Sequence, residues 1–249
     1  MTRVFAGGRA CAVVGHRGGR GEGWPSENTL EAFARAHAEG ADAIELDVRT
    51  CVGNHIVVMH DLDLARMTGG NDRREVARLT RGELARVALG AGKEHVPLLD
   101  DVLDWARDRL AVNIEAKHDV PDRAALARSL ARTVARHPQV EVIVSSFDPA
   151  SLAMLAVSAP RVPRAWLTHA GQQPWQSTWS WLARRAPIAA VHLERVQASP
   201  RAVAALHRAN RLVGVWTVND AAEARDLAAL GVDWLITDSP EAIRTAIRR

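Results

Sequence analysis

Short apolar runs alternate with longer amphipathic stretches along nearly the whole chain. The runs at 140–144 and 212–215 contain few polar residues, which is typical of strands buried on both faces of a parallel sheet. The pattern predicts eight strands, at 11–15, 43–48, 111–116, 140–146, 163–168, 188–193, 211–218 and 233–237. A further extended segment is predicted at 55–60.

The stretches between these strands carry apolar residues at helical spacing. A capping residue followed by proline marks three helix starts, at 148–149, 199–200 and 239–240. Gly40 and Gly231 lie where two helices are expected to end. The predicted helices cover 28–39, 98–109, 122–136, 149–157, 174–185, 200–209, 220–230 and 240–248.

Eight strands in alternation with helices predict an α/β fold, a TIM-type (β/α)8 barrel, and the length of 249 residues suits one such domain over 1–249. An open doubly wound sheet is the alternative, but it requires a glycine-rich dinucleotide turn. The glycines at 18–23 lack that spacing. The least regular stretch, at about 61–97, is predicted to be a small insertion after the second strand.

Composition excludes several classes of protein. The net charge is only +3 and the basic residues are scattered, which argues against nucleic-acid binding. No apolar stretch has the length of a signal peptide or a transmembrane segment, so a cytoplasmic location is expected. Cys11 and Cys51 lack a metal-binding spacing and are expected to be buried free thiols.

Ionisable residues gather at the ends of predicted strands, where α/β barrels keep their chemistry. Glu45 and Asp47 are two residues apart and share one face of a strand, as do Glu115 and Lys117. If the two strands are neighbours, the three carboxylates converge and favour a hard cation, Mg²⁺ or Ca²⁺, with Mn²⁺ as a further candidate. In the alternative interpretation, the carboxylates only form ion pairs with nearby cations such as Arg17.

His16 and His60 have the side chain that both takes and gives a proton near neutral pH. Cleaving a phosphodiester requires both acts, one on the nucleophile and one on the departing alkoxide. Arg17 and Lys117 suit the neutralisation of a phosphate. The set therefore predicts metal-assisted attack on a phosphate ester, although each histidine alone also fits a structural role.

These residues belong to segments that closely resemble the glycerophosphodiester phosphodiesterase family. The resemblance covers nearly the whole chain, and its specificity comes from the combination of short motifs. The matching segments lie at 16–18, 26–33, 40–48, 57–61, 97–99, 113–117, 145–148, 216–219 and 237–240.

The resemblance implies hydrolysis of a small-molecule glycerophosphodiester to glycerol 3-phosphate and an alcohol. It leaves open whether the attacking group is the substrate's own glycerol hydroxyl, through a cyclic phosphate, or water. The implied roles are a divalent cation at Glu45, Asp47 and Glu115, acid–base catalysis by His16 and His60, and substrate binding by Arg17, Lys117, Trp216 and Asn28. Asn28 precedes a predicted helix, so a capping role is its alternative.

Two other functions remain open at this point. One is a lysophospholipase D type activity on lysolipids, and the other is a catalytically idle barrel that acts as a binding protein.

Cys51-Val52-Gly53-Asn54 departs from the usual family turn, but Gly-Asn is expected to preserve a tight hairpin. Trp166, Trp175, Trp179 and Trp181 crowd one region and are expected to pack a helix on the barrel, with contact to the acyl chain of a lysolipid as the alternative.

Overall fold

The structure, a computed structural model, describes residues 11–90, 94–171 and 188–248. Its strands, in chain order, are β1 (Ala12–His16), β2 (Ala43–Thr50), β3 (Ile56–Val58), β4 (Ala88–Leu89), β5 (Glu94–His95), β6 (Ala111–Ala116), β7 (Val142–Ser146), β8 (Arg164–Thr168), β9 (Ala190–Glu194), β10 (Leu212–Trp216) and β11 (Trp234–Thr237). Its α-helices are α1 (Leu30–Ala38), α2 (Arg81–Leu84), α3 (Leu99–Ala106), α4 (Arg123–Arg136), α5 (Pro149–Ser158), α6 (Pro200–Arg208), α7 (Ala221–Ala229) and α8 (Pro240–Ile247).

Eight parallel strands among these close into a barrel. Their order around the barrel is β1, β11, β10, β9, β8, β7, β6 and β2, and β2 pairs with β1 to complete the circle. The closing register aligns His16 with Glu45. The predicted TIM-type barrel is confirmed, and its parallel strands place all their carboxyl ends on one rim.

Local signals explain where the helices begin and end. The side chain of Asp148 accepts hydrogen bonds from two N–H groups at the start of α5, and Ser199 caps α6 in the same way. Gly40 follows α1 with φ of 82° and Gly231 follows α7 with φ of 87°. These left-handed conformations suit glycine, as the sequence predicted for both helix ends.

The barrel interior is filled by alanines, a few larger aliphatic residues and the indole of Trp234. Trp234 is almost fully buried among the inward-facing alanines, and its strand β11 pairs with β10 at Gly214. A Cβ atom at position 214 would overlap the Trp234 indole ring, so the interior of the barrel needs glycine there. Larger apolar residues pack between the strands and the helices outside the barrel.

The turn that departs from the family pattern forms a hairpin, as predicted. β3 runs antiparallel to β2, with Thr50 aligned with Ile56. Gly53 has φ of 81° and Asn54 has φ of 58°, which are conformations that these two residue types tolerate best. The hairpin carries the chain to His60 beside the barrel rim.

The stretch predicted as an insertion, at about 61–97, has its own short elements. It contains α2 and the antiparallel pair β4–β5, which the sequence did not reveal. Its apolar residues, including Leu64, Val76 and Leu84, form a cluster against Val57 of β3. Among the helices that the structure describes, none combines the length and apolar character that a membrane span requires.

Candidate active site at the barrel rim

Three carboxylates meet at the rim, on neighbouring strands. Glu45 and Asp47 lie on β2, and Asp47 is aligned with Glu115 of β6. All three side chains are buried, and one oxygen from each lies within 4.8 Å of the others. We call Glu45, Asp47 and Glu115 the acidic cluster; the convergence expected from their spacing is present in the structure.

The acidic cluster fits a hard divalent cation. Oxygen ligands lie about 2.0–2.6 Å from Mg²⁺ or Ca²⁺, so carboxylate oxygens within 4.8 Å of one another can share a single ion. All three donors are carboxylates, which is the chemistry that these ions prefer. Water or substrate oxygens would supply the remaining ligands.

Burial and mutual repulsion act on the protonation of the acidic cluster. Burial raises the pKa of Glu45 well above its ordinary value, and the charges of Asp47 and Glu115 raise it further. Burial also raises the pKa of Glu115, against the attraction of Lys117. For Asp47, burial acts in the same direction, but Lys117 and Arg17 outweigh it and hold the pKa below its ordinary value. Glu45 is thus the carboxyl group that most needs a further positive charge.

Two cationic side chains pair with the acidic cluster. Lys117 Nζ lies 2.8 Å from Asp47 Oδ1 and 2.7 Å from Glu115 Oε1. Arg17 Nε lies 3.0 Å from Asp47 Oδ2, and the Arg17 backbone N–H donates to Glu45 Oε2. The ion pairing considered as an alternative is therefore present for both cations. Both cations also face the cavity beside the cluster.

His16 and His60 are oriented in the same way. Nδ1 of His16 lies 2.8 Å from Asp238 Oδ1, and Nδ1 of His60 lies 2.7 Å from Asp61 Oδ1. A carboxylate at Nδ1 accepts the ring N–H, which leaves Nε2 for proton transfer in each histidine. His16 Nε2 is 4.0 Å from Glu45 Oε2. Burial lowers the pKa of His60, so its ring is neutral at neutral pH.

Arg49 fixes the backbone at His60. Its guanidinium donates to the His60 carbonyl oxygen from Nε at 2.9 Å and from Nη2 at 2.7 Å. The same buried side chain donates to the Asp119 carbonyl and carboxylate, each at 3.0 Å. Arg49 therefore ties the segment that carries His60 to the loop after β6, instead of pairing with the acidic cluster.

A chain of ion pairs links the two sides of the site. Arg66 Nε lies 2.6 Å from Asp61 Oδ2, and Arg66 Nη2 lies 2.7 Å from Glu27 Oε1. Glu27 Oε1 also accepts from Arg17 Nη1 at 2.8 Å. Arg66, in the stretch after β3, thus connects Asp61, the partner of His60, with Glu27, the partner of Arg17.

A cavity of about 390 Å³ opens beside these groups. One side is charged and the other is apolar, where Trp216 and Phe147 pack edge to face with ring centroids 5.5 Å apart. Such a cavity suits a ligand with an anionic part and a less polar part. Its lining residues are His16, Arg17, Arg20, Glu45, His60, Asn113, Glu115, Lys117, Phe147, Leu167, Trp216, Thr217 and Ile236.

Asn28 was expected to bind the substrate or to cap a helix, and it lies against Asp47. Its amide donates to Asp47 Oδ2 at 2.9 Å and accepts from the Asp47 backbone N–H. The capping alternative is wrong, because Thr29 caps α1 and the helix begins at Leu30 and not at 28. Asn28 is buried, has φ of 61° and does not appear among the described residues that line the cavity.

Sequence reasoning assigned no role to three residues that support His16. Asp238 accepts from Arg20 Nε at 2.9 Å and from Asn219 Nδ2 at 2.8 Å in addition to its contact with His16. Burial alone would raise the pKa of Asp238, but the hydrogen bonds from His16 and Arg20 hold it well below its ordinary value. The available signals were an acidic residue at the end of the last predicted strand and the matching segments at 216–219 and 237–240, which contain Asn219 and Asp238. Trp175, Trp179 and Trp181 lie outside the described residues.

A model of the glycerophosphoryl diester phosphodiesterase family matches residues 16–242. A glycerophosphodiester phosphodiesterase of Bacillus altitudinis is 31% identical over 254 residues, which cover 97% of this chain and 96% of the relative.

Solved structures agree with this match. The crystal structure of a glycerophosphodiester phosphodiesterase from Agrobacterium tumefaciens str. C58 is 26% identical, with a TM-score of 0.76 over 94% of this chain and 99% of that chain. A phosphodiesterase from Oleispira antarctica, solved with the product sn-glycerol-3-phosphate, has the same fold at 23% identity, with a TM-score of 0.83 over 96% of this chain and 97% of that chain. The chain therefore belongs to the glycerophosphoryl diester phosphodiesterase family of phosphoric diester hydrolases.

Proposed function

We propose that this chain uses a divalent cation and the pair His16 and His60 to hydrolyse glycerophosphodiesters to glycerol 3-phosphate and an alcohol. Family membership supports the reaction class. The observation that carries the catalytic proposal is a single cavity that brings together two histidines, two carboxylates of the acidic cluster, and the cations Arg17 and Lys117.

The acidic cluster is the proposed site for Mg²⁺ or Ca²⁺, with Mn²⁺ as a further candidate. When bound, the cation neutralises charge on phosphate oxygens and polarises the phosphorus centre. Glu45, Asp47 and Glu115 supply the protein ligands, and their mutual distances support this assignment. Asn28 positions Asp47 through two hydrogen bonds, so its contribution is to the geometry of the cluster.

Arg17 and Lys117 are the proposed phosphate-binding residues. Both already lie beside the acidic cluster and line the cavity, so each can attract a phosphate while it remains close to its carboxylate partners. Charge-assisted hydrogen bonds from such groups are strongest where water is excluded. Trp216 forms the apolar wall for the glycerol or leaving-group part.

His16 and His60 divide the proton transfers. One ring removes the proton from the attacking hydroxyl group through its Nε2 atom, and the other protonates the oxygen that leaves phosphorus. Asp238 and Asp61 accept hydrogen bonds from the two Nδ1–H groups, so the ring that acts as base presents an unprotonated Nε2 atom, while the ring that acts as acid carries a second proton on Nε2 and donates it. The two rings can exchange roles if a cyclic phosphate forms first and water opens it.

The test is a substrate panel assayed with the full chain. Glycerophosphocholine, glycerophosphoethanolamine and lysophosphatidylcholine are each incubated with Mg²⁺, Ca²⁺, Mn²⁺ or a chelator. Cation-dependent release of glycerol 3-phosphate from the first two substrates is the expected result. Absence of turnover on every substrate with every ion would overturn the proposal and favour an idle binding barrel. Faster choline release from lysophosphatidylcholine than from glycerophosphocholine would replace it with a lysophospholipase D activity.

A further inference from the structure

Asn113 is a buried amide that faces the cavity and has no role so far. It lies on β6, aligned with Glu45 on the neighbouring strand, and only 1% of its surface is exposed. It is one of the residues that line the cavity. Its position places it directly beside the acidic cluster, two residues before Glu115.

The Asn113 side chain lacks a hydrogen-bond partner at both ends. Neither its nitrogen nor its oxygen bonds to any residue in the part of the chain that the structure describes. Leaving a buried polar group unpaired is costly, so such a group usually has a partner that arrives with a ligand.

The unpaired donor and acceptor indicate which chemical group Asn113 binds. A phosphate diester ionised at neutral pH offers only acceptors, and the cations Arg17, Arg20 and Lys117, which line this cavity, can supply the donors that it needs. The apolar wall of Phe147 and Trp216 offers no hydrogen bonds of that kind. A hydroxyl group both donates and accepts, so it matches an amide whose two ends are free.

We propose that Asn113 hydrogen-bonds a glycerol hydroxyl of the substrate and thereby selects diesters that carry this hydroxyl. This inference rests on the proposed function, which supplies the glycerol group. A site built to bond a hydroxyl discriminates against analogues that lack it, because its buried polar atoms then stay unpaired.

Asn113→Leu removes the amide at similar volume. The assay compares kcat/KM on glycerophosphocholine with kcat/KM on bis(p-nitrophenyl) phosphate, a diester without hydroxyl groups, in Mg²⁺. The variant is expected to lose about 30-fold on glycerophosphocholine and to stay within about threefold of the parent on the other diester. Equal losses on both substrates, or no loss on either, would overturn the inference.

Ser145→Ala is the matched control. Ser145 is fully buried, its Oγ also lacks a partner among the described residues, and it is aligned with Glu115, but it does not line the cavity. Its replacement is expected to leave the ratio of the two kcat/KM values unchanged. If Ser145→Ala shifts that ratio as much as Asn113→Leu does, then the loss of any buried polar group near the site alters selectivity. That result would overturn the proposal.

Calorimetry separates this inference from the proposed function. Asn113→Leu is expected to weaken binding of glycerol 3-phosphate at least about tenfold and to leave inorganic phosphate binding unchanged. If the parent protein hydrolyses neither diester, the proposed function fails. The binding of glycerol 3-phosphate compared with that of inorganic phosphate then decides the role of Asn113 by itself. If Asn113→Leu does not fold, Asn113→Ala replaces it in the same experiments. Equal weakening for both ligands would contradict the inference.

Discussion

His16 Nδ1 lies 2.8 Å from Asp238 Oδ1, although 222 residues separate the two along the chain. The contact exists because the barrel closes β1 against β11, with Gly15 aligned with Thr237. His16 and Asp238 are the next residues on these two strands, so they emerge side by side at the rim. The last strand of the barrel therefore orients a histidine at the end of the first.

Asp238→Asn tests whether this contact supports catalysis. An amide at position 238 no longer favours the tautomer with the proton on Nδ1, so kcat is expected to fall about tenfold to hundredfold while KM changes little. Steady-state kinetics on glycerophosphocholine measure both parameters.

Asp233→Asn is the control for that substitution. Asp233 also pairs with a histidine, His207, at 2.9 Å, but it stands just before β11 at the opposite end of the barrel from the rim. Its replacement should leave kcat and KM unchanged. A loss of activity equal to that of Asp238→Asn would contradict a specific role for the contact at the rim.

The two histidines make a second prediction. His16→Ala and His60→Ala should each lower kcat by about 100-fold or more, since each removes a group that transfers a proton. Circular dichroism and the melting temperature should stay close to the parent values. A variant that keeps nearly the parental rate would exclude its histidine from the acid–base pair.

The acidic cluster was accessible to sequence reasoning because its geometry is local. Glu45 and Asp47 are two apart on one strand, and Lys117, directly after β6, is two residues from Glu115, so the periodicity of an extended chain puts each pair on one face. Only the pairing of β2 with β6 had to be assumed. The family resemblance and the alternation of elements both depended on the same short segments.

The supporting contacts of the site were not accessible in this way. The pairing of His16 with Asp238 depends on barrel closure, and the pairing of Arg66 with Glu27 depends on a stretch without regular periodicity. In the sequence, Asn28 resembles a helix cap because it precedes a predicted helix. Its left-handed backbone and its contact with Asp47 cannot be inferred from neighbouring residues. That residues 1–249 form one domain stays a prediction.

Glu45→Gln provides a third prediction, on cation binding. The variant loses one charged ligand of the acidic cluster, so a higher Mg²⁺ concentration should be needed for half-maximal activity. Activity assayed across a Mg²⁺ titration in metal-buffered solution measures the change. Activity that survives dilute chelator as well as in the parent would contradict the role of Glu45 as a ligand.

The same residue predicts how stability depends on pH. The pKa of Glu45 is raised in the folded state, first by burial and then by the charges of Asp47 and Glu115. Protonated Glu45 therefore favours folding, and this contribution is lost as pH rises from the ordinary carboxyl range through the raised pKa. In chelator, the parent should lose more free energy of unfolding than Glu45→Gln between about pH 5 and pH 8.

The comparison isolates Glu45 because Asp47, whose pKa is shifted in the opposite direction, is present in both proteins. Saturating Mg²⁺ should remove the loss in the parent, since the cation stabilises the ionised carboxylate. Melting temperatures of both proteins at both pH values, with chelator and with Mg²⁺, give the eight values required. Parallel changes in the two proteins with chelator would show that Glu45 is not the responsible group.

The packing of the barrel interior makes the final prediction. Gly214→Ala places a Cβ atom against the rigid Trp234 indole, which is buried and cannot move aside without displacing its neighbours. The free energy of unfolding should fall by about 2 kcal/mol, as for overpacking of a dense core. Gly82→Ala in α2 is the matched control, because a Cβ there meets no atom within 4 Å, and it should leave stability unchanged or raise it by up to about 1 kcal/mol, since alanine favours a helix more than glycine does. Urea unfolding of both variants decides the matter: equal stabilities would mean that the interior of the barrel accommodates the extra methyl group.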